Sequence, residues 1–167
     1  MDVGQSLLAG YSNTAIGLVV MIPNLAALSA MVFVSRSSDR KLERRYHAAI
    51  PAIVGGAALL ALGTTQSALI YVALLSLAAA GVFGFYGPYL ALPCEFLTGL
   101  SAASGIAFVN SFAHLGGFIG PQAVGWITQK TGSLYNGLAL AGVSLFVSAA
   151  LVLPLPREAR AKRAGPP

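Results

Sequence analysis

Charge is what this sequence lacks most. Of 167 residues, 15 are Lys, Arg, Asp or Glu, which is 9%, while 56% are hydrophobic and the mean hydropathy is +0.76. A soluble domain carries about a quarter charged residues. The charges are also bunched. Residues 3–35, 46–94, 96–129 and 131–156 hold none, giving uncharged tracts of 33, 49, 34 and 26 residues. That excludes a soluble enzyme, a disordered tail and a disulfide scaffold, and it points to an integral membrane protein. Cysteine is nearly absent as well. Cys94 stands alone, so no internal disulfide can form and the redox compartment is not legible. No glycine loop ends in Lys-Ser/Thr, which leaves an ATP-driven pump without support. His47, His114 and Cys94 are too few for a metal site. The carboxylates Asp39, Glu43, Glu95 and Glu158 sit between or after the apolar runs, so no catalytic pair lies within one, and no cofactor is implied. A net charge of +5 could suggest nucleic acid, but the basic residues are clustered between apolar runs rather than spread over a solvated face.

What is present is helix-length apolar sequence. A bilayer core about 30 Å thick needs roughly 20 apolar residues in a helix. Transmembrane strands would instead show alternating segments of about ten residues. The tracts are longer than that and rich in Leu and Ala, so the expected fold is all-α, with five spans near 14–34, 48–63, 68–92, 101–127 and 134–153. Pro51 is expected in the first turn of the second span, where a missing N–H costs least. The loop 35–47 and the tail 154–167 carry nine of the ten basic residues, and Lys130 alone falls on the other side. By the positive-inside rule the C-terminus is expected in the cytoplasm and the N-terminus outside, in an inner (plasma) membrane. Met1-Asp2 does not begin a signal peptide, and an outside N-terminus without one is natural if helices precede it.

Two stretches carry a family pattern. The loop after the first span reads Asp39-Arg40-Lys41-Leu42-Glu43-Arg44-Arg45. An Asp at a helix end can pair with an Arg of the same loop and latch one conformation. The plainer reading is a set of water-bathed charges that fix topology. The D-R-x-x-x-R-R order resembles the signature loop of major facilitator superfamily transporters, in its second-half copy between helices eight and nine. Ser35 stands where that pattern has Gly, and so does Leu42. The second stretch runs from Gly87-Pro88-Tyr89 through Gly105-Ile106-Ala107-Phe108-Val109-Asn110-Ser111 and His114-Leu115-Gly116-Gly117-Phe118-Ile119-Gly120-Pro121 to Thr131-Gly132-Ser133. It resembles helices ten and eleven of the anion:cation symporter family within that superfamily, whose members include tartrate, phthalate, hydroxyphenylacetate and sugar-acid permeases.

The resemblance implies a fold, a cargo and a site. The full fold would be twelve helices in two bundles, with this chain supplying helices eight to twelve. The cargo would be a small organic acid, moved by secondary active transport in symport with protons. The cations that grip its carboxylate would come from the first bundle, so this chain alone is expected to be inactive. Asn110 becomes the leading substrate contact. His114, four residues on and on the same helix face, has two readings: a donor to the carboxylate or proton carrier, or an interhelical hydrogen bond. Ser111, Tyr86 and Asn24 are further polar candidates within the spans, because polar groups in a bilayer are costly and often mark pathways. Asp39, Arg40, Arg44 and Arg45 are the candidate latch. Gly81, Gly84, Gly87, Gly116 and Gly120 read as close-packing positions. Two other readings remain: a small structural or assembly subunit, and one chain of a split transporter.

Overall fold

The computed structural model describes residues 12–93, 97 and 100–155. Cys94, Glu95 and the basic tail 157–163 lie outside the described residues, as does the lead-in before Ser12. Five helices carry the described chain: α1 Asn13–Lys41, α2 Arg45–Ala61, α3 Ala68–Ala91, α4 Leu100–Thr131 and α5 Leu134–Val152. A single 3-10 turn, Leu62–Thr64, follows α2. No strand occurs among the described residues. All five helices are long and apolar enough to cross a membrane.

The helix ends differ from the sequence expectation in an informative way. α1 does not stop near residue 34 but runs to Lys41, so the loop 35–47 shrinks to a turn of Leu42, Glu43 and Arg44. Asp39 and Arg40 are therefore helical residues and not loop residues. No Gly or Pro interrupts 35–41, and Arg40 and Lys41 in the last turn complement the negative end of the helix dipole. α2 likewise begins three residues early. Pro51 falls beyond its first turn, and its ring packs toward Gly84 of α3. At 29 residues, α1 is about 44 Å long, and α4, at 32 residues, about 48 Å. Both exceed the hydrocarbon core, so their polar ends reach headgroup and water.

Packing runs in a chain of neighbours: α1 on α3, α3 on α2, α2 on α5 and α5 on α4. The centre is α2, whose buried residues are nearly all small: Ala48, Ala49, Ala52, Gly55, Gly56 and Ala58, with Leu59. Lipid removes the hydrophobic drive between helices, so van der Waals contact at close approach has to hold them. A Cβ on Gly55 would meet the Gly81 backbone at 3.1 Å, and one on Gly56 would meet the Gly142 carbonyl at 2.9 Å. Gly87 takes up the side chain of Ser35, which explains how α1 carries Ser where the family pattern has Gly. Gly116 and Gly120 differ. Open space surrounds them, so they do not join the helix contacts expected of them. At the opposite end, Tyr135 on α5 donates its hydroxyl to the Leu60 carbonyl at 3.0 Å, satisfying a group left over at the end of α2.

Large side chains point outward. Phe108, Phe112, Leu115, Phe118, Ile119 and Trp126 of α4 are all exposed, and no residue of α4 is buried. Each such side chain costs roughly 1.5–3 kcal/mol if left in water. One helix thus forgoes on the order of 10 kcal/mol unless lipid or protein covers it.

Candidate functional site

Three polar candidates of α4, Asn110, Ser111 and His114, stand near mid-helix. Asn110 is half-buried, and His114, one turn on, is exposed. Neither has a hydrogen-bond partner among the described residues. Ser111 is exposed and donates its hydroxyl to the Ala107 carbonyl at 2.9 Å, an ordinary way for a helix to satisfy serine. Asn110 and His114 therefore keep their full donor and acceptor capacity at membrane depth.

The remaining candidates lie elsewhere. Tyr86 is exposed on α3, turned from the face that packs on α2. Asn24 on α1 donates its amide to the Val20 carbonyl at 2.9 Å. It borders a recess of about 340 Å³ between α1 and α3, otherwise lined by apolar side chains such as Pro23, Val72, Leu75 and Val82. Because α4 packs on α5 and not on α1 or α3, the five candidates are not gathered into one constellation.

Among the described residues the densest polar cluster is the turn between α1 and α2. Leu42 has φ +52°, a left-handed conformation, and the Glu43 N–H donates to the Ser38 carbonyl at 3.3 Å. That is the closing bond of a Schellman motif, in which Gly is the usual residue at the Leu42 position. The turn thus forms with leucine where the family pattern has glycine, at a conformational cost of about 1–2 kcal/mol. Leu42→Gly is expected to stabilise the chain by about 0.5–1 kcal/mol, the gain being reduced by glycine's greater unfolded entropy. A chemical-denaturation midpoint in mild detergent measures it, and an unchanged or lowered midpoint refutes it.

The charges of this turn divide into separate contacts. Arg44 pairs with Asp39 and also donates to the Ser38 hydroxyl at 3.3 Å. Ser38 is fully buried and donates to the Glu43 carbonyl at 2.8 Å. Arg45 reaches the far end of the chain, donating to the Leu155 carbonyl at 2.6 Å and the Leu153 carbonyl at 3.3 Å. It ties the start of α2 to the end of α5. Arg40 is exposed and has no ion pair among the described residues.

Sequence reasoning missed the role of Glu43 and His47. Glu43 accepts the Tyr46 N–H at 3.0 Å and the His47 N–H at 3.3 Å, capping the free donors of the first α2 turn. His47 Nδ1 lies 3.0 Å from the same carboxylate, and its Nε2 lies 3.1 Å from Ser37 Oγ on α1. The available signal was an acid two residues ahead of α2, where a carboxylate can accept the free first-turn N–H groups, with His47 four residues on. Burial pushes the Glu43 carboxyl up, but the Tyr46 N–H, the His47 ring and the His47 N–H together outweigh it and hold it below its ordinary value. A carboxyl lowered by folding stabilises the fold above its unfolded value, about 4.3, and loses that contribution as pH falls through the lower folded value. Unfolding midpoints recorded from neutral pH downward are expected to fall more steeply below about pH 4.3 in the native chain than in Glu43→Gln. Parallel curves would refute this.

Among the described residues no three His, Cys, Asp or Glu gather to hold a metal. Five apolar crossing helices, with polar groups held at membrane depth, define a multi-pass membrane protein. The sequence profile of the Major Facilitator Superfamily matches residues 5–167, and the chain belongs to that superfamily. A protein of Agrobacterium vitis named for tartrate transport is 37% identical over 150 residues, covering 89% of this chain and 33% of its own length. A metabolite transport protein of Pseudomonas putida is 37% identical over 152 residues, with shares of 90% and 35%. A quinolone resistance transporter of Acinetobacter baumannii is 34% identical over 129 residues, with shares of 77% and 30%. The chain thus spans about a third of the length of these relatives. No solved structure matches.

Proposed function

We propose that this chain supplies the last five helices of a secondary transporter for small organic acid anions, driven by proton symport. The observation that carries this reading is the pair Asn110 and His114, one turn apart on α4 and unpartnered among the described residues. Polar groups at membrane depth are expensive unless a ligand or another helix satisfies them. A carboxylate can accept from the Asn110 amide, and the His114 imidazole can donate to it or carry a proton. The tartrate name of the Agrobacterium relative supports a cargo of this class, and the Pseudomonas relative is named for metabolite transport. In such folds the substrate lies between two bundles near the bilayer midplane and the bundles rock around it. The first bundle would supply the cations that grip the carboxylate, whether from the same polypeptide or a separate chain. The α1–α2 turn and the C-terminus face the cytoplasm of a bacterial inner membrane in this reading.

The test is uptake of labelled tartrate into proteoliposomes with an imposed pH gradient. This chain together with a first bundle is expected to take up label, and Asn110→Ala to lower the initial rate at least tenfold at equal protein level. The 167-residue chain alone is expected to take up none. Full activity in Asn110→Ala and His114→Ala would overturn the site. Failure of the assembled pair to take up label would favour a structural subunit, whose helices need no polar cavity face.

A further inference from the structure

We propose that the end of α1 holds one anionic phospholipid, with its phosphate clasped between Arg36 and Arg40. This inference is independent of the cargo and of which side of the membrane the turn faces. The turn region contains five basic side chains, and the structure divides them. Arg44 and Arg45 are engaged inside the protein, on Asp39 and Ser38 and on the carbonyls of Leu153 and Leu155. Arg36, Arg40 and Lys41 are exposed, with no ion pair or hydrogen bond among the described residues.

Arg36 and Arg40 are four residues apart on a helix, which sets their Cβ atoms about 5–6 Å from each other. Two guanidinium forks at that spacing can grip one phosphate from both sides, and planar bidentate recognition is what Arg does better than Lys. The same helix face continues into the membrane through Phe33, Ser29, Leu25 and Ile22, at successive steps of three or four residues. Phe33 is 76% exposed, and Leu25 and Ile22 are also exposed. From Arg36 to Leu25 the helix rises about 16 Å, close to half of the roughly 30 Å hydrocarbon core. Two free cations therefore stand at headgroup level above an apolar strip one leaflet deep. That order, charge above and hydrocarbon below, complements an anionic lipid. A soluble acidic partner would leave the strip unused. Lys41, displaced around the helix, adds positive potential without joining the clasp.

The experiment uses the purified 167-residue chain in a neutral detergent. Thermal unfolding midpoints are recorded with phosphatidylglycerol, with phosphatidylcholine of the same acyl chains, and with glycerol 3-phosphate. Phosphatidylglycerol alone is expected to raise the midpoint by several degrees at low salt. The rise should vanish at about 1 M salt, where charges are screened beyond about 3 Å. Arg36→Gln with Arg40→Gln should abolish the rise while leaving the lipid-free midpoint nearly unchanged, because both side chains are exposed and Arg40 gives up only a solvent-screened interaction with the helix end. Arg36→Lys with Arg40→Lys should retain part of it. Native mass spectrometry should find one phosphatidylglycerol retained by the native chain and several-fold less by the Gln pair. Equal effects of the two lipids, persistence in the Gln pair, or the same rise with glycerol 3-phosphate would each overturn the proposal. So would loss of the retained lipid once a first bundle is co-assembled, which would mean that protein covers this face.

Discussion

Gly81→Ala is expected to destabilise the folded chain by about 3 kcal/mol, the upper part of the range for inserting a methyl group into a packed interior. A Cβ on Gly81 would lie 2.5 Å from the Gly55 Cα, 2.5 Å from the Pro51 carbonyl oxygen and 2.6 Å from the Gly55 nitrogen. All three are backbone atoms of α2, so no side-chain rotation can make room, and α2 and α3 must separate along their length. α2 is also the helix that joins the α1–α3 side to the α5–α4 side, so the separation propagates. The comparison is Gly116→Ala. There the Cβ meets nothing within 4 Å, and alanine gains about 1 kcal/mol of helix propensity over glycine. The two substitutions are chemically identical and are expected to move the unfolding midpoint in opposite directions. Denaturation in mild detergent, with fluorescence-detected size exclusion to count folded material, measures both. A Gly81→Ala midpoint within experimental scatter of the native one would refute the close contact.

Arg45→Met is expected to lose about 2 kcal/mol, since hydrogen bonds to a charged donor contribute about 1.5–3 kcal/mol. Met keeps most of the apolar stem and removes only the guanidinium. The carbonyls of Leu153 and Leu155 then lose their donor, where α5 gives way to Pro154 and the helix can no longer use them. Arg45→Lys is expected to recover about half, because an ammonium cannot span two carbonyls with one planar fork. A spin-label pair, one at the start of α2 and one at the end of α5, gives a second readout. The distance distribution should broaden in Arg45→Met and stay narrow in Arg45→Lys. If Met matches the native chain in both measurements, Arg45 is a topology charge and not a strut.

The glycines and arginines mark the limits of what one-dimensional reasoning reaches. Five crossing helices and membership of the superfamily follow from uncharged tracts and from the Asp39–Arg45 and Gly87–Ser133 patterns, because lipid imposes length and polarity limits that any spanning sequence must meet. The end of α1 does not follow. Whether a basic stretch after an apolar run stays helical depends on what stops it, and here the stop is Leu42 in a left-handed conformation, closed by the Ser38 carbonyl. Gly81 and Gly116 look equivalent in sequence. Only the helix opposite each of them distinguishes a contact from open space. Arg44 and Arg45 are adjacent in the chain, yet one pairs five residues away and the other 110 residues away.

The sequence by itself therefore determined the solvent of this protein, the number of crossing helices among its described residues and its family. All of these are set by side-chain chemistry summed along segments of about 20 residues, the length that spans a bilayer. The tertiary structure alone decided which small residues touch, which arginines are engaged and which stay free, and that Asn110 and His114 lie on a helix set apart from Asn24 and Tyr86. Those outcomes depend on which faces meet, and in a membrane nearly every face is apolar, so hydrophobic pattern carries little information about which face turns inward.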